Sequence, residues 1–243
     1  MFKLTQIPRG RYIAALGIAL AAVVAWSLIG AHEPDTWLVE NALVPGLLLI
    51  LALTYRRLPL SRMSYTMIFV FLVLHEIGAH WTYAKVPYDE WWRAIFGTTL
   101  NDWLGLERNH FDRFVHFSYG LLFAYPIREL FLRVADVKGF WGYFLPLDLA
   151  ISSSTLFELV EWIVVVLVNP DVGMAYLGTQ GDVWDAHKDI ACASFGALLA
   201  MCVTAAINAR YKRDFAQDFL QSLDVKQTKP LGEEGLTGPT AEV

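Results

Sequence analysis

Six long apolar runs divide the chain, at residues 12–30, 39–55, 63–83, 114–132, 141–168 and 190–209. Each is close to the roughly 20 apolar residues that a helix needs to cross about 30 Å of hydrocarbon. The first is almost pure Ala, Leu, Ile and Val, with Trp26 near its end. Lys3, Arg9 and Arg11 before it suggest a secretory signal, but the run is too long and no small-x-small cleavage site follows. A retained span is therefore expected. The second run is short and holds Pro45 and Gly46, which neighbouring helices tolerate in a bundle. Between the third and fourth runs, segment 84–110 is rich in aromatic residues, and Trp92, Ile95, Phe96, Thr99 and Trp103 recur at helical spacing. That spacing predicts a short helix lying at a membrane–water interface, with Gly97 working against its continuity.

Composition removes the soluble alternative. Apolar types make up 56% of the 243 residues and charged types 18%, against roughly 45–50% and 25% in ordinary globular domains. The 9 Trp, 10 Tyr and 15 Phe exclude a disordered or fibrous chain, because such segments are poor in aromatics. Cys192 and Cys202 share one apolar run and make no disulfide framework. The net charge of −5 says less than its distribution. Segments 1–11, 56–62, 128–138 and 210–243 hold 14 of the 19 Lys and Arg, and the intervening loops hold only Lys85, Arg93, Arg108, Arg113 and Lys188. Basic residues collect on the cytoplasmic side, so this alternation predicts six spans with both termini in the cytoplasm. The expected fold is all-α: a polytopic transmembrane bundle over 1–209, an outer interfacial segment at 84–110 and a cytosolic tail at 210–243 with a disordered end. Membrane lipids, not nucleic acid, are the expected surroundings.

Charged groups inside a bilayer are expensive and usually functional. Here they gather at the outer ends of the spans. Glu76 and His80 are four residues apart, as are Asp112 and His116, and Glu158 and Glu161 are three apart; each pair shares a helix face. At about 1.5 Å per residue, Glu158 lies roughly 15 Å and Glu161 roughly 10 Å below the end of the fifth run. Asp182, Asp185 and Asp189 lead into the sixth. Four helices thus aim carboxylates and imidazoles at one region, which predicts a polar cavity open to the outside.

Two chemistries suit these residues. In the first, Asp112 and His116 form a general acid/base pair with Glu158 and Glu161 as further proton carriers. In the second, His75, Glu76, His80, Asp182, Asp185 and Asp189 supply ligands to a divalent metal such as Zn²⁺, Fe or Mn²⁺. The string His75-Glu76-Ile77-Gly78-Ala79-His80 is not a zincin motif, because its histidines are five apart and lie on different faces. Plainer readings stand beside these: His80 as an interfacial anchor, Asp112 as a helix cap, and Asp182 and Asp185 as loop acids.

The strings His75-Glu76-Ile77-Gly78-Ala79-His80, Asp112-Arg113-Phe114-Val115-His116-Phe117, Glu158-Leu159-Val160-Glu161-Trp162 and Gly178-Thr179-Gln180-Gly181-Asp182-Val183-Trp184-Asp185 occur in that order. In them the chain resembles the YjdF-like inner membrane proteins, from about residue 10 to 210. More distantly it resembles the VanZ-like family, associated with glycopeptide-antibiotic resistance. That likeness runs through Asp112 to Phe117, Glu158 with Glu161, and Asp189 with Gly196. It departs at Arg113, where the family has Lys, at Glu161, where it has Gln, and at Ala193, where it has Asn. These resemblances imply an inner-membrane location and support the site residues, but they supply no substrate. The expectation is an enzyme acting at the outer leaflet on a lipid or lipid-linked envelope precursor. The alternatives are a proton- or cation-coupled transporter and a scaffold.

Overall fold

In a computed structural model, residues 7–167, 176–211 and 215–226 are described. Among them the regular structure is helical throughout. Helix α1 spans Arg9–Leu28, and α2 (Pro34–Glu40) passes through a 3₁₀ turn at Asn41–Leu43 into α3 (Val44–Thr54). Then follow α4 (Arg62–His80), α5 (Tyr88–Phe96), α6 (Leu100–Leu104), α7 (Phe111–Val134), α8 (Trp141–Leu167), α9 (Asp185–Tyr211) and α10 (Phe215–Gln221).

Helices α1, α4, α8 and α9, together with the stretch 34–54, are long and apolar enough to cross a membrane. Helix α7 is equally long at 24 residues, about 36 Å at 1.5 Å per residue. It carries Asp112, Arg113 and His116 near one end and Arg128, Glu129 and Arg133 near the other. Its position explains that polarity. It packs against α4, α8 and α9, so helices cover much of the surface that lipid would otherwise touch.

The α7–α9 crossing is close and rests on two glycines. A methyl group at Gly120 would stand 1.9 Å from the Ala193 carbonyl oxygen, and one at Gly196 would stand 2.1 Å from that of Phe117. Small residues allow such approach between membrane helices. Below the crossing, Ala124, Ala150, Ala197, Ala200 and Met201 form a core of mostly small side chains. A second core, of Leu20, Leu60, Tyr65, Ile68 and Leu72, binds α1 to α4.

The elements depart from the apolar runs in four places. The second run begins earlier, at Pro34, and is broken at Asn41–Leu43, where Asn41 Nδ2 donates to the Trp37 carbonyl (3.1 Å) and Pro45 follows at the start of α3. Proline suits a first helical turn and not an interior. Helix α9 begins five residues before the sixth run, so Asp185 and Asp189 lie in its first two turns. Acids there oppose the positive end of the helix dipole. The segment 84–110 makes two helices, because Gly97 (φ +78°) ends α5. Thr99, expected on the apolar face, instead caps α6 by accepting from Asp102 N (2.9 Å). Ile95, Phe96, Trp103 and Leu104 remain exposed. Finally, the tail folds back as α10: Phe140 N donates to Ser222 Oγ (2.9 Å), and Phe219 packs edge-on against Phe140. The tail's expected disordered end falls outside the described residues.

At the end opposite the titratable cluster, Glu129 joins α7 to α4. It accepts from Ser61 N (2.8 Å) and Ser64 Oγ (2.6 Å), and Arg133 bridges it to the Pro59 carbonyl.

Candidate functional site

Helical spacing places Asp112 and His116 one turn apart on α7, with His116 Nε2 3.7 Å from Asp112 Oδ1. Helix α8 brings Glu158 to the other side, Oε1 3.4 Å from the same nitrogen. Helix α9 adds Asp189, which offers a ligand atom within 4.8 Å of those of Asp112 and His116. The α7–α9 glycine contact lies one to two turns below and sets this separation. His116 and Glu158 are each 8% exposed and Asp189 3%. Glu158 Oε1 and Asp189 Oδ1 have no hydrogen-bond partner among the described residues. Glu161, one turn after Glu158 on α8, lines the space beside it.

The cluster stands at the polar end of a cavity of about 360 Å³. Glu40, His75, Tyr83, Asp112, His116 and Glu161 line that end, whereas Leu47, Phe71, Leu72, Phe123, Phe157 and Val160 line the remainder. A second cavity, about 350 Å³, lies between Glu158, Glu161, Asp185 and Asp189 and the connection 177–183. His116 and Glu158 therefore stand between the two.

Across the first cavity, the Tyr83 hydroxyl lies 2.5 Å from His75 Nδ1. Thr82 and Tyr83 have φ of 52° and 48°, a left-handed turn that is costly for non-glycine residues. It folds the Tyr83 ring back onto Gly78, where a Cβ would meet it at 2.7 Å. His75 Nε2 is buried without a partner among the described residues.

Two of the expected ligands turn away. Ser27 on α1 donates to Glu76, which is fully buried, and accepts from Trp37 Nε1 (3.0 Å). His80 Nδ1 donates to the Ser27 carbonyl (2.8 Å) while its ring stacks on Trp26. Glu76 and His80 share a face, as their spacing requires, but it is the face that packs on α1. Asp182 and Asp185 meet arginines: Arg113 reaches both (2.5 and 3.0 Å), and Arg108 binds Asp185 (2.8 Å) and the Thr179 carbonyl (2.7 Å). Asp112 leaves N-terminal capping to Asn109, whose Oδ1 accepts from Phe111 N (3.0 Å).

Outside the spans, Lys188, the Trp184 amide and Arg113 hold the Asp182 carboxyl well below its ordinary value. Lys85 does the same to Glu33, linking the α1–α2 and α4–α5 connections. Tyr176 lines the first cavity with Glu40 and Tyr83, and neither these three nor Arg108 and Arg113 follow a spacing that marks a site. Lys85, Arg108, Arg113 and Lys188 each have a carboxylate partner.

The profile of a family described as "Predicted membrane protein (DUF2238)" matches residues 12–210. The chain is 35% identical over 199 residues to the inner membrane protein YjdF of Escherichia coli strain K12, covering 82% of this chain and 91% of that protein. No solved structure matches it.

Proposed function

The chain belongs to the DUF2238 family of predicted membrane proteins, and from that premise we propose that it admits an amphipathic envelope lipid or lipid-linked molecule from the outer leaflet and performs acid–base chemistry on its polar part. As a multi-pass inner membrane protein it meets such molecules in its own solvent. The cavity's graded lining carries the reading: apolar along its length, with two imidazoles and three carboxylates at one end. An apolar tail fits the first part and a polar head the second. His116, held between Asp112 and Glu158, exchanges the proton, and Glu161 faces the same space.

Six crossings with cytoplasmic termini complete the proposal. In its support, the basic segment 56–62 meets the end of α7 through Arg133 and Pro59, and α10 docks beside Phe140 and Trp141. The cation-rich segments thus share one end of the bundle, and the titratable cluster lies at the other. A proton-coupled transporter has less support, since the described residues show no comparable polar set at the cytoplasmic end.

Ser154 supplies the test. It lines the cavity, so the larger side chain of Ser154→Phe takes up cavity volume, at an overpacking cost where the 2% exposed site meets its neighbours. In nanodiscs, displacement of a fluorescent acyl-chain probe by phospholipid is expected to be saturable for the wild type. In Ser154→Phe the probe's affinity falls more than about tenfold, a loss of about 1.4 kcal/mol. Equal binding by both proteins would discard the reading.

A further inference from the structure

We propose that Asp112, His116 and Asp189 bind a divalent transition-metal ion, with Glu158 beside its fourth position. The inference deepens the reading above, since the ion would stand at the polar end of the same cavity.

Geometry is the first support. The three residues present one nitrogen and two oxygen donors that all lie within 4.8 Å of one another. Donors about 2.1 Å from a tetrahedral ion stand roughly 3.4 Å apart. The observed separations from His116 Nε2 are 3.7 Å to Asp112 and 3.4 Å to Glu158. An imidazole with two or three carboxylates suits Zn²⁺, Mn²⁺ or Fe²⁺.

Unpartnered atoms are the second and independent support. Asp189 Oδ1 and Glu158 Oε1 belong to side chains more than nine-tenths buried and accept no hydrogen bond among the described residues. Asp185, one turn before Asp189, has its Oδ1 bound by two arginines, while its Oδ2 is buried without a partner among the described residues. Asp189 is left with Arg113 Nε at 4.0 Å, beyond hydrogen-bond range. Three carboxyl groups thus surround one imidazole with little compensating charge. Unpaired charge in such surroundings is costly, and a divalent cation removes that cost.

Access is the third. The second cavity reaches Glu158 and Asp189 from the outer connection 177–183, and the first reaches Asp112 and His116 from the apolar side. An ion enters by one and a substrate by the other. With His116 Nε2 given to the ion, proton transfer passes to His75, which Tyr83 holds through Nδ1 on the opposite wall.

The test uses the full chain in detergent, stripped with chelator and titrated calorimetrically with ZnCl₂ or MnCl₂ alone. The wild type is expected to bind a single equivalent. Asp189→Asn and His116→Ala should weaken binding by more than about tenfold, a loss that even changes behind the ligands can cause. Glu76→Gln, on the face of α4 that packs on α1, should leave binding unchanged. X-ray absorption on the Zn²⁺-loaded wild type guards against variants that fail to fold: one imidazole among oxygen donors is expected. Binding unaltered by Asp189→Asn, no binding to the wild type, or a thiolate in the shell overturns the site. An acyl probe that binds where no metal does removes the ion and spares the proposed function. Metal uptake without probe binding does the reverse.

Discussion

Alanine at Gly120 or Gly196 is expected to destabilise the bundle by more than about 3 kcal/mol, the upper range for overpacking. The added methyl group meets a backbone carbonyl of the facing helix at 1.9 or 2.1 Å, and a backbone atom has no rotamer by which to escape. The helices must part, and with them Asp112 and His116 from Asp189. Thermal unfolding in detergent, followed by tryptophan emission, reads the loss. Gly17→Ala and Gly46→Ala are the controls, since a Cβ there meets nothing within 4 Å. They should unfold near the wild-type temperature. If Gly120→Ala does the same, the crossing is wrong.

Arg113→Met should rank next, at about 3 kcal/mol. The arginine binds Asp182 and Asp185 and approaches Asp189, so its removal strands buried negative charge. Arg108 still reaches Asp185, which keeps the cost at the low end of the 3–5 kcal/mol seen when buried pairs lose a partner. The pH response has a definite sign. The Asp182 carboxyl is held well below its ordinary value in the folded protein. Its contribution is therefore complete above the unfolded value, near pH 4, and declines only as pH falls toward the folded one. Protection of the 177–188 amides from hydrogen exchange, taken relative to the unstructured rate at each pH, should be the same at pH 7 and 5 in the wild type. In Arg113→Met it should be lower at both. Unchanged protection in the variant would show that the arginine does not hold the connection.

The sequence made the all-helical membrane character legible because apolar length is a property of the chain alone. Convergence of Asp112, His116, Glu158 and Asp189 was legible too, since i,i+4 spacing and span direction put all four at one end. Spacing does not say which neighbour a face meets. Glu76 and His80 share a face, yet that face met Ser27, an unobtrusive polar residue in an otherwise apolar run. The left-handed turn at Thr82 and Tyr83 has no glycine to announce it, so the pairing of Tyr83 with His75 was hidden. Glu40 stood one residue inside the second run and drew no notice until the break at Asn41–Leu43 turned it toward the cavity. Asp182 and Asp185 meet Arg108 and Arg113, a pairing between distant segments that spacing along the chain does not specify.

An experimental structure of the protein in nanodiscs of native lipid, read at the cavity between α3, α4, α7 and α8, bears most directly on the whole account. Elongated density is expected along Leu47, Phe71, Phe157 and Val160, ending in a head among Glu40, His75, Asp112 and His116. A closed bundle, with Leu43, Val44 and Leu47 packed onto Phe157 and no room for a chain, would contradict it.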